Sequence, residues 1–454
     1  MSDLIAAVAT PPGPGGVGIV RLSGPGAHRA AAQVFRPMQR GALTDAPDRL
    51  LVYGTVLGPE GEGIDSGLAF VSRAPHSYTG EDTAELQCHG SPVVLGLVLE
   101  ALYRAGARPA RPGEFTQRAF LNGRLDLTQA EAVIDLIEAD SARAVQNAAG
   151  QLAGALSRRI GGVYDALTDL MAHFCAVLDY PDEDLDPFRA EGMAAVLAEQ
   201  GAALAALLQT AARGRRLRDG VVCALVGRPN AGKSSLLNAL AGYERAIVTD
   251  RPGTTRDTVE AAVSLAGLPF RLIDTAGLRA SDDPAEQLGV ARSRTAMDEA
   301  DVVLLVCDGT AVPGDEERAL LAELGDRAVV VRSKADRPAA WDALPGGETV
   351  ALSARTGAGL DALEAVLGRR GAALLPAARA GEQGLMLTNA RQTDAVRRAL
   401  EAVRRAEEGL GAGLPPDLLL TDVEDALAAL GELTGRTVRE DVTDRIFSRF
   451  CVGK

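Results

Sequence analysis

No part of the chain restricts its folding more than residues 221–243. An apolar run, Val221-Val-Cys-Ala-Leu-Val226, leads into Gly227-Arg-Pro-Asn-Ala-Gly232-Lys233-Ser234, and the helix-forming stretch SSLLNALAG follows. The glycines let backbone N–H groups face phosphate oxygens, and the start of the helix adds a favourable dipole. Strand, loop and helix in this order form the setting that the G-x(4)-G-K-[ST] pattern requires. Lys233 is placed to reach β- and γ-phosphates, and the Ser234 hydroxyl to ligate Mg²⁺.

The surrounding sequence repeats the pattern. FRLIDTAG (270–277), DVVLLVCDG (301–309), AVVVRSKAD (328–336) and ETVALSAR (348–355) are short apolar runs separated by helical stretches. Together with 221–226 they predict a doubly wound parallel sheet over about 218–375. SKAD (333–336) stands where guanine-specific proteins carry N/T-K-x-D. Asp336 can accept two hydrogen bonds from the guanine N1–H and 2-amino group, a pattern adenine lacks. Lys334 would lie along the base plane, and a backbone amide of SAR (353–355) can meet the guanine O6. Asp274 of DTAG is expected near Mg²⁺, through water, and Gly277 beside the γ-phosphate. Ras-like proteins follow this glycine with a glutamine that orients the attacking water. Here the residue is Leu278, so hydrolysis must be arranged differently.

The flanks have other periods. LIAAVA (4–9), VGIVRL (17–22), LLVYGTVL (50–57) and LAFVS (68–72) have strand composition, and 93–106 reads as a helix. Gly13-Pro-Gly15-Gly-Val-Gly18 satisfies G-x-G-x-x-G, but a strand-like run follows it, so a dinucleotide site is not expected. From Thr128 the pattern turns helical. Thr128 and Glu131 suggest a capping box. Leu152, Leu156, Ile160, Val163, Leu167, Leu170, Phe174 and Val177 form the stripe of one long helix, broken at 180–187. Helices return at 389–410 and 416–435. Such stripes need helical partners, so an α/β domain inserted into a helical bundle is the economical architecture. The expected segments are 1–120, 121–217, 218–375 and 376–454.

The net charge of −14 excludes polynucleotide binding through a general positive field. Five scattered cysteines without a CxxC pair suggest neither a zinc site nor a disulfide framework. The N-terminus lacks a basic region and cleavage site. No run reaches the roughly 18 uninterrupted apolar residues of a membrane span. A cytoplasmic protein without a membrane partner is the simplest expectation. The terminal SRFCVGK is a poor prenylation box, and Val442, Ile446, Phe447 and Phe450 at helix spacing predict that it docks.

GRPNAGKSSLLNALAG, IVTDRPGTTRD, DTAGLR, ARPGEFTQRAFLNGRLDLTQAEA and the final FCVGK together resemble the MnmE (TrmE) family of tRNA uridine-modification GTPases, over essentially the whole chain. The resemblance implies a multidomain protein, α/β and all-α: an N-terminal α+β folate-binding and dimerisation domain, a split helical-bundle domain and an inserted Ras-like G domain. It implies a homodimer that joins an FAD-binding MnmG-type partner in a heterotetramer and meets tRNA through that complex. The complex installs an aminomethyl or carboxymethylaminomethyl group at C5 of the wobble uridine, with a one-carbon unit from 5,10-methylene-tetrahydrofolate; 5-formyl-tetrahydrofolate would occupy the same pocket. The alternative is a GTP-dependent ribosome- or RNA-assembly switch, in which the N-terminal domain and the tail would have no task.

The implied GTP site comprises Asn230, Ala231, Gly232, Lys233, Ser234 and Ser235; Thr249, Asp250, Arg251, Pro252, Gly253 and Thr254; Asp274, Thr275, Ala276 and Gly277; and Ser333, Lys334, Ala335, Asp336, Ser353, Ala354 and Arg355. Thr255 would join Ser234 on Mg²⁺. Asn230, Thr249, Arg251 (through its carbonyl) and Thr254 would hold K⁺, which neutralises phosphate charge as an arginine finger does. Glu286 corresponds to the family residue that helps position the catalytic water. Arg21, Glu85, Arg124 and Lys454 are the implied folate contacts, and Cys451 is either a reactive thiol or a small buried packing residue. Two departures stand out. Ser333 replaces the usual asparagine and is expected to lose a contact to the base or to the phosphate loop. Arg124 replaces a lysine, which keeps the charge but alters the geometry.

Overall fold

The computed structural model describes residues 3–39, 41–179, 190–243, 259–274, 294, 296–375, 383–437, 443, 446–448 and 450–453. They gather into two compact bodies. One is Met1–Ile134 with Ser157–Thr168 and Glu424–Lys454; the other is Asp135–Leu156 with Asp169–Val423.

The first body is built on a mixed sheet. Its elements are β1 (Ile5–Val8), β2 (Gly15–Ser23), α1 (Ala27–Val34), β3 (Phe35–Pro37), β4 (Val52–Leu57), β5 (Gly63–Ser72), β6 (Thr83–Gly90), α2 (Pro92–Arg104), β7 (Arg108–Pro109), α3 (Glu114–Leu121) and α4 (Leu127–Ile137). The strand order is β3-β4-β5-β6-β2-β1-β7, with only β1 and β7 parallel among the described pairs. Side chains alternate across the sheet. Ala6, Val20, Leu22 and Leu86 enter a core with α1 and α2, through Ala31, Val34, Val98 and Leu102. Ile5 and Ala7 meet Phe115 of α3 on the other side. Arg21 pairs in register with Ala7 and with Glu85, so both charged residues share the Phe115 side. Gly15–Ser23 is indeed a strand, so the glycine pattern at 13–18 does not open a helix.

Two sequence expectations need correction here. The capping pair of α4 is Asp126 with Gln129, two residues earlier than Thr128 and Glu131. Asp126 Oδ1 accepts from Gln129 N at 2.9 Å, and Gln129 Oε1 accepts from Asp126 N at 3.0 Å. Thr128 instead donates to Asp126 from inside the helix. The long helical stripe is one helix from Leu156 onward, α6 (Ala155–Asp179), but its first residue, Leu152, ends a separate α5 (Ala142–Leu152), parted from α6 at Gly154, which has a φ of +81° that a side chain would resist. Helix α3 and strand β6 had no sequence expectation.

The second body holds α5, part of α6, α7 (Ala190–Gln209), α8 (Ala211–Asp219), β8 (Val221–Val226), α9 (Lys233–Tyr243), β9 (Val259–Leu265), β10 (Leu268–Asp274), β11 (Val302–Asp308), α10 (Asp315–Leu324), β12 (Ala328–Ser333), β13 (Glu348–Ala351), α11 (Leu360–Leu374), α12 (Ala390–Gly411) and the start of α13 (Pro416–Thr434). The sheet order is β13-β12-β11-β8-β10-β9. Five strands are parallel, as expected. The sixth, β9, forms an antiparallel hairpin with β10 through Ala266 and Gly267, and the parallel-sheet expectation omitted it. Continuous burial of β8, β11 and β12 reflects helices on both faces. The stretch Gly192–Asp219 is long and apolar enough to cross a membrane by length and composition. Within this body, however, α7 runs against α12 and buries Met193, Leu197, Leu204 and Leu207.

The α/β segment joins its helices at two places that meet. Arg218, at the end of α8, donates to Asp135 Oδ1 at 3.1 Å, and Thr388, on the outgoing chain, donates to Asp135 Oδ2 at 2.7 Å. Gln151 Nε2 donates to Met386 O at 2.6 Å, and Thr210 Oγ1 accepts from Leu387 N at 3.1 Å. Arg143 Nη1 caps Leu375 O at 2.5 Å, and Ala144 packs into the core under the sheet.

Candidate nucleotide site and N-terminal polar centre

The carboxyl ends of β8, β10, β11 and β12 converge on the phosphate loop, which is where an open α/β sheet binds its ligand. Gly227 has a φ of +149°, and a Cβ there would strike Val306 O of β11, so only glycine lets the loop leave the sheet at this point. Asn230 follows at φ +63°, a left-handed residue inside the loop. Lys233 is buried, and its ammonium donates to Gly227 O at 2.6 Å and Arg228 O at 2.9 Å. Burial lowers its pKa, opposed by Asp274. The loop carbonyls are thus internal substitutes for the phosphate oxygens that this cation is suited to bind. Ser234 Oγ donates to Asp274 Oδ2 at 2.7 Å. These two oxygens, one at the helix start and one at the end of β10, make a donor set that fits a hard cation. Arg228 on the loop's outer side pairs with Glu317 of α10 at 2.8 Å.

The residues expected to meet the base are also held on internal partners. Asp336 accepts from Ser353 Oγ at 2.6 Å and from Arg355 Nη2 at 2.8 Å. Those hydrogen bonds hold its carboxyl near pKa 2. Ala335 N donates to Leu352 O, so the turn after β12 is fastened to the end of β13 and Ser353, Ala354 and Arg355 lie beside it. Lys334 has a φ of +56°, and its ammonium pairs with Asp308 Oδ2 at 2.6 Å. Ser333 corrects an expectation. Its hydroxyl lies 2.6 Å from Ala231 O and 3.0 Å from Cys307 O, so the shorter side chain keeps a contact to the phosphate loop. Asp308, Arg228 and Glu317 had no place in the sequence reading. A DG pair closing a buried strand was the available signal for Asp308.

Thr249, Asp250, Arg251, Pro252, Gly253, Thr254, Thr255, Thr275, Ala276, Gly277, Leu278 and Glu286 lie outside the described residues. So does Lys454.

The second polar centre is in the first body. Arg21 Nε donates to Glu85 Oε1 at 2.8 Å, and both side chains are largely covered. The guanidinium carbon lies 5.5 Å from the Tyr78 ring centre and 5.8 Å from that of Phe115. Tyr78 and Thr116 share a hydrogen bond of 2.9 Å, and burial pushes the phenol pKa up. The C-terminal tail reaches the same place. Phe447 and Phe450 pack with Leu127 and Ala130, Gly113 N donates to Cys451 O, and Val452 bridges Pro112. Arg21 Nη1 then points at Gly453 O, 3.4 Å away. Gly453 has a φ of +95°, and a Cβ there would strike Val8 O. The described part of the tail is docked, as its helix spacing suggested. Cys451 is exposed, which removes the reading of it as a buried packing residue. Arg124 is also exposed, near Gly80, and its side chain makes no hydrogen bond or ion pair among the described residues. Tyr78, Phe115 and Gly453 were missed because they come together only through the fold.

Helix α3, which carries Phe115, also carries a network of ions. Glu114 is buried and accepts from Arg108 at 2.6 Å and Arg118 at 3.0 Å. Arg118 is buried too, and it also reaches Glu81 at 2.9 Å and Asp3 at 2.8 Å.

Lys233, Ser234 and Asp274 at the sheet's carboxyl edge, with Lys334 and Asp336 after β12, two strands from β8, define a P-loop nucleotide-binding domain. Comparison with known proteins extends the definition to the whole chain. The family model described as GTP-binding protein TrmE N-terminus matches residues 4–124, and that of the MnmE helical domain matches 127–451. A tRNA modification GTPase MnmE of Symbiobacterium thermophilum is 47% identical over 460 residues, covering 100% of this chain and 99% of its own. That of Chloroflexus aurantiacus is 47% identical over 464 residues, covering 100% of both. Among solved structures, the G domain of the T. maritima FeoB iron transporter aligns with 33% of this chain and 98% of its own at 30% identity, with a TM-score of 0.27. The chain belongs to the MnmE (TrmE) family of tRNA modification GTPases and is a GTP-hydrolysing enzyme.

Proposed function

We propose that GTP hydrolysis by this chain drives modification of the wobble uridine of tRNA in the cytoplasm. A homodimer acts with an FAD-binding partner of the MnmG type, and an aminomethyl-type group is added at C5 of uridine 34. Arg21 and Glu85 hold a reduced folate: the guanidinium, backed by Tyr78 and Phe115, suits an acidic cofactor, and the carboxylate can accept two hydrogen bonds from an amino-pyrimidine edge. The folate supplies the one-carbon unit when bound. In the GTP site Lys233 binds phosphate, Ser234 and Thr255 hold Mg²⁺, and Asn230, Thr249, Arg251 and Thr254 hold K⁺. Together the cations neutralise charge at the phosphates. Glu286 positions water, a task that Leu278 cannot perform.

The observation that carries this reading beyond GTP hydrolysis is the tail. An exposed thiol, Cys451, is fixed two residues from Gly453, whose carbonyl faces Arg21. The experiment is mass-spectrometric analysis of wobble uridines in a strain whose own copy is replaced by a chain lacking residues 451–454. Modification should be lost, with K⁺-stimulated GTP hydrolysis retained. Normal modification would remove the tail from the reaction. Cys451→Ser should be as severe as the truncation, since an exposed sulfur contributes little packing; full modification by this variant would exclude a chemical role for the thiol.

A further inference from the structure

Asp308 belongs to no motif used so far, yet its carboxylate is bonded to the lysine of the turn read as the base contact. It ends β11, directly opposite Ser333 in the parallel register with β12. Its two carboxylate oxygens have separate tasks. Oδ1 accepts from Thr310 N at 2.9 Å and from Thr310 Oγ1 at 2.7 Å. Oδ2 is left to face Lys334 Nζ at 2.6 Å. The main chain is fixed as well: Trp341 Nε1 donates to Asp308 O at 2.9 Å, and Gly309 N donates to Ser333 O at 3.0 Å. A side chain at Gly309 would collide with Ser333 O.

Lys334 needs such a holder. Its backbone is left-handed, at φ +56°, so its stem leaves the turn in a direction that strand geometry does not determine. A lysine stem has four rotatable bonds and much rotamer freedom to lose when it is laid along a base. An anchored carboxylate at its tip removes that freedom before the nucleotide arrives, which is how preorganisation strengthens binding.

We propose that Asp308 is a positioning residue of the guanine pocket, holding the Lys334 stem in the plane on which the base stacks. The inference rests on the reading of Lys334 and Asp336 as base contacts, and it adds a residue to that site. Burial pushes the Asp308 carboxyl up, but Lys334 and Thr310 outweigh it and bring it to about 2, so the anchor is ionised throughout the physiological range. The effect is indifferent to the base's exocyclic groups, because a stem lying on a ring face does not read its edge.

The test is a double-mutant cycle on the full chain, read by GDP titration calorimetry alongside thermal unfolding. Asp308→Asn should weaken GDP binding by about threefold to thirtyfold, the range expected when one long side chain must be ordered on binding. Lys334→Met should weaken it at least as much, and the double variant should bind no worse than Lys334→Met alone. In an Asp336→Asn background, Asp308→Asn should weaken xanthosine diphosphate binding by the same factor. Additive losses in the cycle, or a lowered unfolding midpoint with unchanged GDP affinity, overturn the proposal and leave Asp308 structural. Retained guanine preference in Asp336→Asn alone overturns the underlying site reading instead. Should Asp308→Asn not fold, Thr310→Val frees Oδ1 while keeping both charges, and GDP binding should weaken in the same direction. Unchanged affinity in that variant also overturns the proposal. Trp341, the chain's one tryptophan, donates to the Asp308 carbonyl and gives a second reading through its emission.

Discussion

Two arginine–carboxylate groupings in this protein are alike in chemistry and opposite in use. On helix α3 of the first body, the Glu114 and Arg118 side chains are 3% and 8% exposed, and each is bonded to several partners. At the turn proposed to recognise the base, Arg355 is 75% exposed and is paired with Asp336. A buried pair cannot be opened without stranding a charge, so it serves as a fixed frame. An exposed pair has little net energy and is easily exchanged, so it can keep a recognition group ionised and oriented until a ligand replaces it. What decides whether such a bond is scaffold or placeholder is burial, not length: the distances, 3.0 Å and 2.8 Å, are almost the same.

The comparison predicts the largest effect at the buried end. Glu114→Ala should destabilise the chain by about 3–5 kcal/mol, because the buried Arg118 would lose its most deeply buried counter-charge. Chemical denaturation would measure this, and a loss below about 1 kcal/mol would show that the frame is not a frame. Acid should act in the same direction. Burial alone would raise the Glu114 carboxyl, but Arg108, the Arg111 amide and Arg118 lower it from 4.5 to about 2. Its contribution is therefore complete above about pH 4.5 and lost as pH falls towards 2. Glu114→Gln should flatten the stability profile across that window.

At the base pocket the effect should appear in selectivity rather than stability. Asp336→Asn should favour xanthine over guanine nucleotide, with the preference shifting by roughly a hundredfold, since two hydrogen bonds to a charged acceptor are exchanged. A competition assay that keeps the original preference would refute the reading of SKAD. A smaller change is expected at the loop. Asn230→Ala should abolish the rise in GTP turnover when K⁺ replaces Na⁺, a loss of about tenfold or more if the cation stabilises transition-state charge. Equal turnover of the unaltered chain in both salts would remove K⁺ from the scheme. Smallest of all, Arg355→Ala should alter stability by less than about 1 kcal/mol. A larger loss would make the placeholder a scaffold and collapse the comparison.

How far the sequence discloses these features depends on how local they are. The buried strands β8, β11 and β12 are continuous apolar runs and could be read almost to the residue. The hairpin strand β9 alternates at the sheet edge and could not. The phosphate loop and the SKAD turn are legible because a few adjacent residues contain the whole chemical requirement. The Arg118 network is not: its partner Asp3 lies 115 residues away, and the polar helix EFTQRAFL gives no hint that its charges are inside. The cap of α4 was misplaced because Asp126 and Thr128 both satisfy the local rule, and only the backbone direction at Leu127 decides between them.

The carboxylate of Asp135 carries a mechanical consequence. One of its oxygens holds Arg218, where the chain goes out into the α/β segment, and the other holds Thr388, where it comes back. The outgoing and returning chains are therefore tied to one carboxylate, so neither can shift without disturbing the bond that holds the other.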